Sequence, residues 1–518
     1  MDFTCISPLK RQIDSTTDGY CMKMYHLRKS LTKKNLNELH IKILISCWLS
    51  VLLLFSISAI TSHRPWETAS TNNFNLQVRD VFLGDSVEST RVICEELWKR
   101  PVNPAKKQSA KSYLNLTYQC YIQMLKEGAF QEMDSQDQRL IASFLDALAR
   151  ISPGDARTRY ALLSYLISLD DDHHTIHDLL SSLIEDNTLP ASALGWVNYW
   201  LAETSSSNSN FDYNKAIQFN PQIIGAYYSL YEDALSQGAI NEASMIAQTV
   251  SELKPTSVIS STRDRDCQYL EGVPISGMLL RGFDIEPVLL GQSPFIWVTL
   301  HWEITSAEDE NDSSTYDYPF EQIVDLPSRQ MYRINNRIFD VRLVHNLVPN
   351  GGFEWFVDPQ STSQNPPNFY EIWHWGVTEL KTSVIPVRDV NTTEHILKIV
   401  TSGEGTWEPY LASTEFPVDP ETQYIQGGTV LTDKSATKIN LGRKQTPPQP
   451  GQELQPGLSW GTYQISTEAE KRTCTTLWNS WNATSANVNL AVVDFPGLTY
   501  ADNLFLFKLP LPPINENK

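Results

Sequence analysis

The densest run of metal-ligating side chains is Asp170-Asp171-Asp172-His173-His174-Thr175-Ile176-His177-Asp178. On a helix His173 and His177 stand four residues apart on one face, the spacing of a metal-binding pair. The same residues also read as an acid-rich helix start, where aspartates satisfy free backbone N–H groups and complement the helix dipole. No HExxH accompanies them. Gly457-Leu458-Ser459-Trp460-Gly461 has the form of a nucleophile elbow, which needs its serine on a sharp turn from a strand into a helix. Here a proline-rich loop precedes Ser459 and a strand-like run, Thr462–Ile465, follows, so a loop entering a strand is the plainer reading. The chain has neither a GxxxxGK phosphate loop nor a GxGxxG fingerprint. Paired glycosidase carboxylates leave no linear signature. The modules described next nevertheless leave no domain of catalytic size.

The elements that would carry these residues begin with an uncharged apolar run, Ile43–Ile60. Eighteen helical residues reach about 27 Å, just short of a hydrocarbon layer, and Lys42 can snorkel to close the gap. Residues 1–42 hold eight Lys and Arg against four acids, whereas 61–80 hold only Arg64 and Arg79. That asymmetry predicts a cytoplasmic amino end, one membrane-spanning helix over 43–60, a polar tether over 61–84 and an extracytoplasmic remainder. The alternative is a cleaved secretory signal, with Ser56, Ser58 and Ala59 as small residues at the processing site. The whole chain carries −19 and its first 42 residues +4, which leaves −23 on residues 43–518. Such a body repels phosphates, so nucleic acid is excluded as a partner, while a neutral ligand is indifferent to the field. Of the seven cysteines, Cys94, Cys120, Cys267 and Cys474 follow the apolar run. None has zinc-like spacing, and Cys94 with Cys120, on adjacent expected helices, is the best candidate disulfide. Asn115, Asn311, Asn391 and Asn482 head glycosylation triplets, which fit exposed loops.

From 85 to 256 apolar residues recur at three and four spacing, with breaks at Gly128, Pro153-Gly154, Pro190, Pro221, Gly238 and Pro255. The pattern predicts antiparallel helix pairs. The last unit sets Tyr227 and Leu230 on one helix, Gly238 at a turn, Ala243 on the next helix and Pro255 at its end, 34 residues after Pro221. This spacing resembles the tetratricopeptide family. The resemblance implies a stacked array with a concave face that binds a protein partner; a purely structural spacer is the other reading.

After Pro255 short runs rich in β-branched and aromatic residues, among them 277–283, 295–302, 330–334 and 337–344, predict a small β-sandwich over 263–345. Asn346-Leu347-Val348-Pro349-Asn350-Gly351-Gly352-Phe353-Glu354 then opens a bracket that Tyr500-Ala501-Asp502-Asn503-Leu504-Phe505-Leu506 closes. Together they resemble the first and last strands of carbohydrate-binding jelly rolls of the CenC-like, cellulose- and xylan-binding type, over 346–510. The resemblance implies a structural calcium held in part by Glu354 and Asp502, completed by other oxygens. It also implies aromatic platforms for the flat faces of sugar rings, with Trp373, Trp375, Trp407, Tyr410, Trp460 and Tyr463 as the group. Glu371, Glu404 and Gln426 are the polar companions. Trp373 and Trp375 alternate around His374 and so share a strand face. Core packing competes with the platform role at each position. The segment Asp433–Gln455, with its prolines and glutamines, is longer than a compact module needs.

The resulting expectation is a multidomain α+β chain: one transmembrane helix, a TPR-like helical region and two β-sandwich modules, the last a jelly roll. Its expected role is a non-enzymatic, membrane-anchored protein of a bacterial envelope that binds a glycan through the jelly roll and a protein through its helices. The alternatives are a protein-only scaffold for assembling or exporting surface polymers, and a polysaccharide-acting enzyme.

Overall fold

A computed structural model describes residues 87–101, positions within 113–124, and 135–151, 155–169, 173–186, 188–204, 209–260, 270–305, 320–354, 370–373, 379–388, 393–402, 410–432, 437–443, 472–480, 483–492 and 497–513. The expected span Ile43–Ile60, with the tail before it and the tether after it, lies outside these residues. No helix among the described residues is long and apolar enough to cross a membrane. The longest, Ser135–Ile151, has 17 residues and carries Asp137, Arg139, Asp146 and Arg150. It reaches about 26 Å and could not shed those charges in hydrocarbon. The membrane-anchored, envelope-displayed topology is therefore corrected: the fold described is a helical region followed by β-sheets.

The helical region runs α1 (Val87–Trp98), α2 (Ser135–Ile151), α3 (Ala156–Ser168), α4 (His173–Ile184), α5 (Ala191–Thr204), α6 (Ser209–Phe219), α7 (Ile224–Ser236) and α8 (Ile240–Glu252). Each helix packs on the next, as in a stacked array. A disulfide joins Cys94 on α1 to Cys120, in the helical stretch that follows, with Cα atoms 5.5 Å apart. α7 and α8 form the expected hairpin. Gly238 supplies its left-handed turn at φ 73°, and Tyr227, Ala234, Ala243 and Val250 are buried in its seam.

The region expected to be a small β-sandwich is instead one sheet. Strands β1 (Val273–Ile275), β2 (Met278–Ile285), β3 (Phe295–Ile304), β4 (Glu321–Leu326), β5 (Arg329–Ile334) and β6 (Arg337–His345) pair antiparallel in the order β1-β2-β3-β6-β5-β4. A short helix, α9 (Pro287–Gln292), links β2 to β3. The sheet needs no second sheet of its own because other parts of the chain cover both of its faces. Every residue of β3 from Phe295 to Trp302 is buried, the signature of a strand enclosed on two sides.

Helices cover one face. Trp297 donates its indole N–H to Ser164 on α3 at 2.6 Å and stacks on Trp196 of α5, 6.0 Å between centroids. Phe295 packs on Tyr165. Arg337 donates to the Ser251 and Leu253 carbonyls at the end of α8, where a cation complements the helix dipole. Beside it the His301 ring bonds Asp284 at 2.6 Å, and the Thr256 backbone N–H and hydroxyl donate to the other Asp284 oxygen. The second His301 nitrogen faces Arg337 at 3.4 Å, so this buried cluster is a joint between helix and sheet.

The remaining strands form the expected two-layer sandwich. One sheet runs β14-β12-β16-β9-β8, from β14 (Arg472–Asn479), β12 (Gln423–Thr432), β16 (Gly497–Lys508), β9 (Thr393–Ser402) and β8 (Glu379–Arg388). The other contains β7 (Tyr370–Trp373), β10 (Tyr410–Ser413), β11 (Phe416–Pro417), β15 (Ser485–Val492) and β13 (Thr437–Arg443), with β15 central. Leu411, Val488 and Leu490 from this second sheet meet Tyr424, Trp478, Leu397, Leu504 and Leu506 from the first in one core.

Candidate functional site

Side chains alternate along a strand, so each sheet of the sandwich has one face toward the shared core and one away from it. In the β14-β12-β16-β9-β8 sheet the away face is not free. Phe505 and Phe507 alternate with the core residues Leu504 and Leu506, and their rings meet Phe283 of the central sheet at 6.1 and 5.9 Å. The Ser260 backbone N–H and hydroxyl both donate to the Thr475 carbonyl, at 2.7 and 2.8 Å. The molecule is thus a stack of helices, central sheet, inner jelly-roll sheet and outer jelly-roll sheet. Among the described residues no such layer is packed on the away face of the outer sheet.

Register shows what that outer sheet assembles. Trp373 on β7 is the direct partner of Tyr410 on β10, and Tyr410 of Ala491 on β15. Two residues along, the next row on the same face aligns Glu371, Ala412, Asn489 and Asn440. Asn487 and Asn489 alternate with the core residues Val488 and Leu490, lie half-buried, and bond to each other at 3.2 Å. Two aromatic candidates 37 positions apart in sequence are therefore paired, with an acid and two amides one row away. Trp375, Trp407, Trp460, Tyr463, Glu404 and Ser459 lie outside the described residues, as do the four glycosylation asparagines, Cys267 and most of Asp433–Gln455. Gln426 belongs to the inner sheet, where it is buried and donates to Thr476 at 2.9 Å. It is a core residue and no ligand-face companion. Sequence reading missed Asn487 and Asn489; the alternation Ala486, Val488, Leu490 was the signal that could have placed them outward.

The two motifs that bracket the module do come together, as a latch. Asn346 accepts at Oδ1 from the Val348 and Leu506 N–H groups (3.2 and 3.1 Å) and donates from Nδ2 to the Leu504 carbonyl (3.2 Å). A Cβ on Gly351 would lie 2.0 Å from the Leu504 carbonyl oxygen, and one on Gly352 2.3 Å from the Gly291 Cα. Both glycines are thus required for backbone to touch backbone where central sheet, α9 and jelly roll meet. Glu354, next to the latch, accepts from the His395 backbone N–H at Oε1 (2.9 Å) and from the His395 ring at Oε2 (2.7 Å). Asp502 accepts from the backbone and side-chain nitrogens of Asn503 at 2.7 and 3.1 Å. Among the described residues no three His, Cys, Asp or Glu side chains gather as a metal site. His177 on α4 is exposed. Each Glu354 oxygen accepts one hydrogen bond from His395 and keeps a second lone pair that a cation could use.

A separate cleft of about 650 Å³ follows the seam between the central sheet and the jelly roll, lined by Leu343, Leu347, Val418, Tyr424, Leu509 and Leu511 among others. Two buried titratable groups flank the layers. Burial pushes the Glu286 carboxyl, the N-cap of α9, up to about 7, against weaker help from the Val288 N–H and the Ser192 hydroxyl. Burial pushes His345, stacked on Phe295 and bonded to Tyr121, down to about 4.

These elements define a class: a helical array joined through a six-stranded sheet to a jelly-roll-like sandwich. No protein-family model matches the chain, and no curated protein is similar to it in sequence. Among solved structures, the N-terminal cellulose-binding domain of Cellulomonas fimi β-1,4-glucanase C is 13% identical at a TM-score of 0.19, over 29% of this chain and 93% of that one. The CBM22-1 xylan-binding domain of Paenibacillus barcinonensis Xyn10C is 11% identical at 0.21, over 31% and 94%. The enzymatically active domain of bacteriophage CBA120 tailspike protein 4 is 12% identical at 0.24, and the chain spans 21% of its length. Likenesses of this size carry nothing about ligand.

Proposed function

We propose that this chain is a carbohydrate-binding protein whose ligand face is the away face of the outer jelly-roll sheet, with Trp373 and Tyr410 as stacking platforms and Asn487, Asn489 and Glu371 taking hydroxyls. The observation that carries the reading is that the inner sheet's corresponding face is spent on Phe283, which leaves the sheet holding the paired aromatics as the place for a ligand. Flat C–H faces of sugars suit indole and phenol, and amides with an acid suit hydroxyls. The acidic body favours a neutral glycan. The CenC-like type of jelly roll is part of this reading, supported by the latch between Asn346-Leu347 and Leu504-Leu506. A tetratricopeptide-like character for the helical array belongs to it too, supported by the Gly238 hairpin and the burial of Ala243. The test is calorimetric titration of the full chain with cellohexaose and xylohexaose. Binding lost in Trp373→Ala and Tyr410→Ala, in proteins that melt as the parent does, supports the reading; binding of both sugars unchanged by these substitutions, or no binding at all, overturns it.

A further inference from the structure

Where the helical array meets the edge hairpin β4–β5 there is a second cavity, of about 340 Å³. Its floor is phenolic. Tyr199, Tyr213 and Tyr332 are buried, and the Tyr199 and Tyr332 hydroxyls both donate to the side-chain amide oxygen of Gln330, at 3.4 and 3.1 Å. Gly225 keeps that floor in place: a Cβ there would lie 2.4 Å from the Tyr199 hydroxyl and 2.8 Å from that of Tyr332. The wall is Tyr228, and the rim is acidic, with Glu203 from α5, Glu232 and Asp233 from α7 and Asp325 from β4. Among the described residues that line the cavity none is lysine, arginine or histidine.

Glu203 already accepts from the Tyr213 and Ser229 hydroxyls, at 2.8 and 3.3 Å, and Asp233 from the Gln237 amide at 2.6 Å; carboxylates take several such bonds and donate none, so the rim suits a ligand rich in N–H donors. The phenols stay neutral and keep their π faces. Burial and then Glu203 raise Tyr213, and burial and then Glu232 raise Tyr228. A metal ion is the wrong shape of cation, because these acids do not converge as a group that could hold one. A cation spread over a carbon frame, seated on tyrosine and ringed by acids, satisfies both features. The volume is at the lower end of small-ligand pockets.

We propose that this cavity binds an organic amine through an alkylammonium or guanidinium group, independently of the jelly-roll face. The group can arrive on a free polyamine or on a basic side chain of a peptide. The full chain is titrated calorimetrically, at physiological ionic strength, with spermidine and with a Gly-Lys-Gly peptide, its Nε-acetylated form serving as the uncharged control. Saturable binding is expected for at least one of the two amines and none for the acetylated peptide; whichever binds more tightly identifies the source. Glu203→Gln with Asp325→Asn, and separately Tyr228→Leu, are expected to weaken binding about tenfold or more. Glu242→Gln with Glu252→Gln, the same charge change on α8, leaves it unaltered. Circular dichroism of each variant establishes that it is folded. Equal weakening by the α8 control, retention in the pocket variants, or no binding of either amine overturns the proposal.

Discussion

The two sheets of the jelly roll share one core and differ in what lies behind them. Behind the inner sheet, Phe505 and Phe507 press on Phe283 and Thr475 is bonded by Ser260. On the outer sheet, half-buried amides alternate with core residues along β15, and Trp373 is the register partner of Tyr410. A sandwich can use either broad face, so attaching one of them to a larger body determines which is left for recognition. In this chain the inner sheet's back is structural, so substitutions there should report on stability, while under the proposed function those on the outer sheet should report on binding.

The largest effect should come from breaking the closed side. Phe283 is fully buried against two rings, and Phe283→Ala is expected to cost about 3–5 kcal/mol in denaturant unfolding. A loss below about 1 kcal/mol would show that the layers are not packed there. Removing the Cys94–Cys120 disulfide, which closes a sequence separation of 26, should cost about 3 kcal/mol. Comparing the double serine variant with the parent in chemical denaturation checks this, and the loss should not reach glycan binding.

The pH dependence sharpens the contrast between buried groups at the layer joints and the outer face. Glu286 titrates near 7 when folded and near 4.5 otherwise. Its contribution is therefore complete below about pH 4.5 and is lost as pH rises through 7, worth about 3 kcal/mol at 1.4 kcal/mol per unit. His345, held near 4 against 6.5, acts in the opposite sense: its contribution is present above pH 6.5 and is lost as pH falls toward 4. Between pH 4.5 and 6.5 the two slopes oppose each other. Glu286→Gln should raise stability at pH 8 and leave a curve that falls toward acid. Thermal melts across this range check it, and an unchanged profile would contradict the burial of Glu286.

On the outer sheet Asn489→Ala should alter stability by no more than about 0.5 kcal/mol while weakening glycan binding. Calcium gives the smallest expected change. Glu354 and Asp502 each accept hydrogen bonds within the protein; a melting temperature that rises with calcium and falls on chelation would assign both to an ion, and one unmoved by either would leave them as hydrogen-bond acceptors.

Much of this architecture was legible in the residues. The three-and-four spacing marked the helices, and Gly238 with Pro255 marked the last hairpin. Paired strings at either end of the final module marked the sandwich. From sequence the central sheet reads as a sandwich because its strands are as apolar as sandwich strands. Nothing in Phe295–Trp302 tells whether the covering layer is a second sheet or, as here, helices on one side and a distant module on the other. The closing string Leu504-Phe505-Leu506 hid the same ambiguity, since both parities are apolar when both faces are buried. Gln426 looked like a polar companion, yet it is a core amide satisfied by Thr476, a pairing that depends on the register of β12 with β14. The apolar run Ile43–Ile60 led to a membrane topology that no described helix supports.

Hydrogen–deuterium exchange of the full chain with and without saturating glycan, cellohexaose or xylohexaose, tests the central claim most directly. New protection is expected in β7, β10 and β15, over 370–373, 410–413 and 485–492, with β12 and β16 unchanged. Protection that appears instead at 418–424 and 509–512, along the seam cleft, or nowhere in the outer sheet, would contradict the assignment of the ligand face.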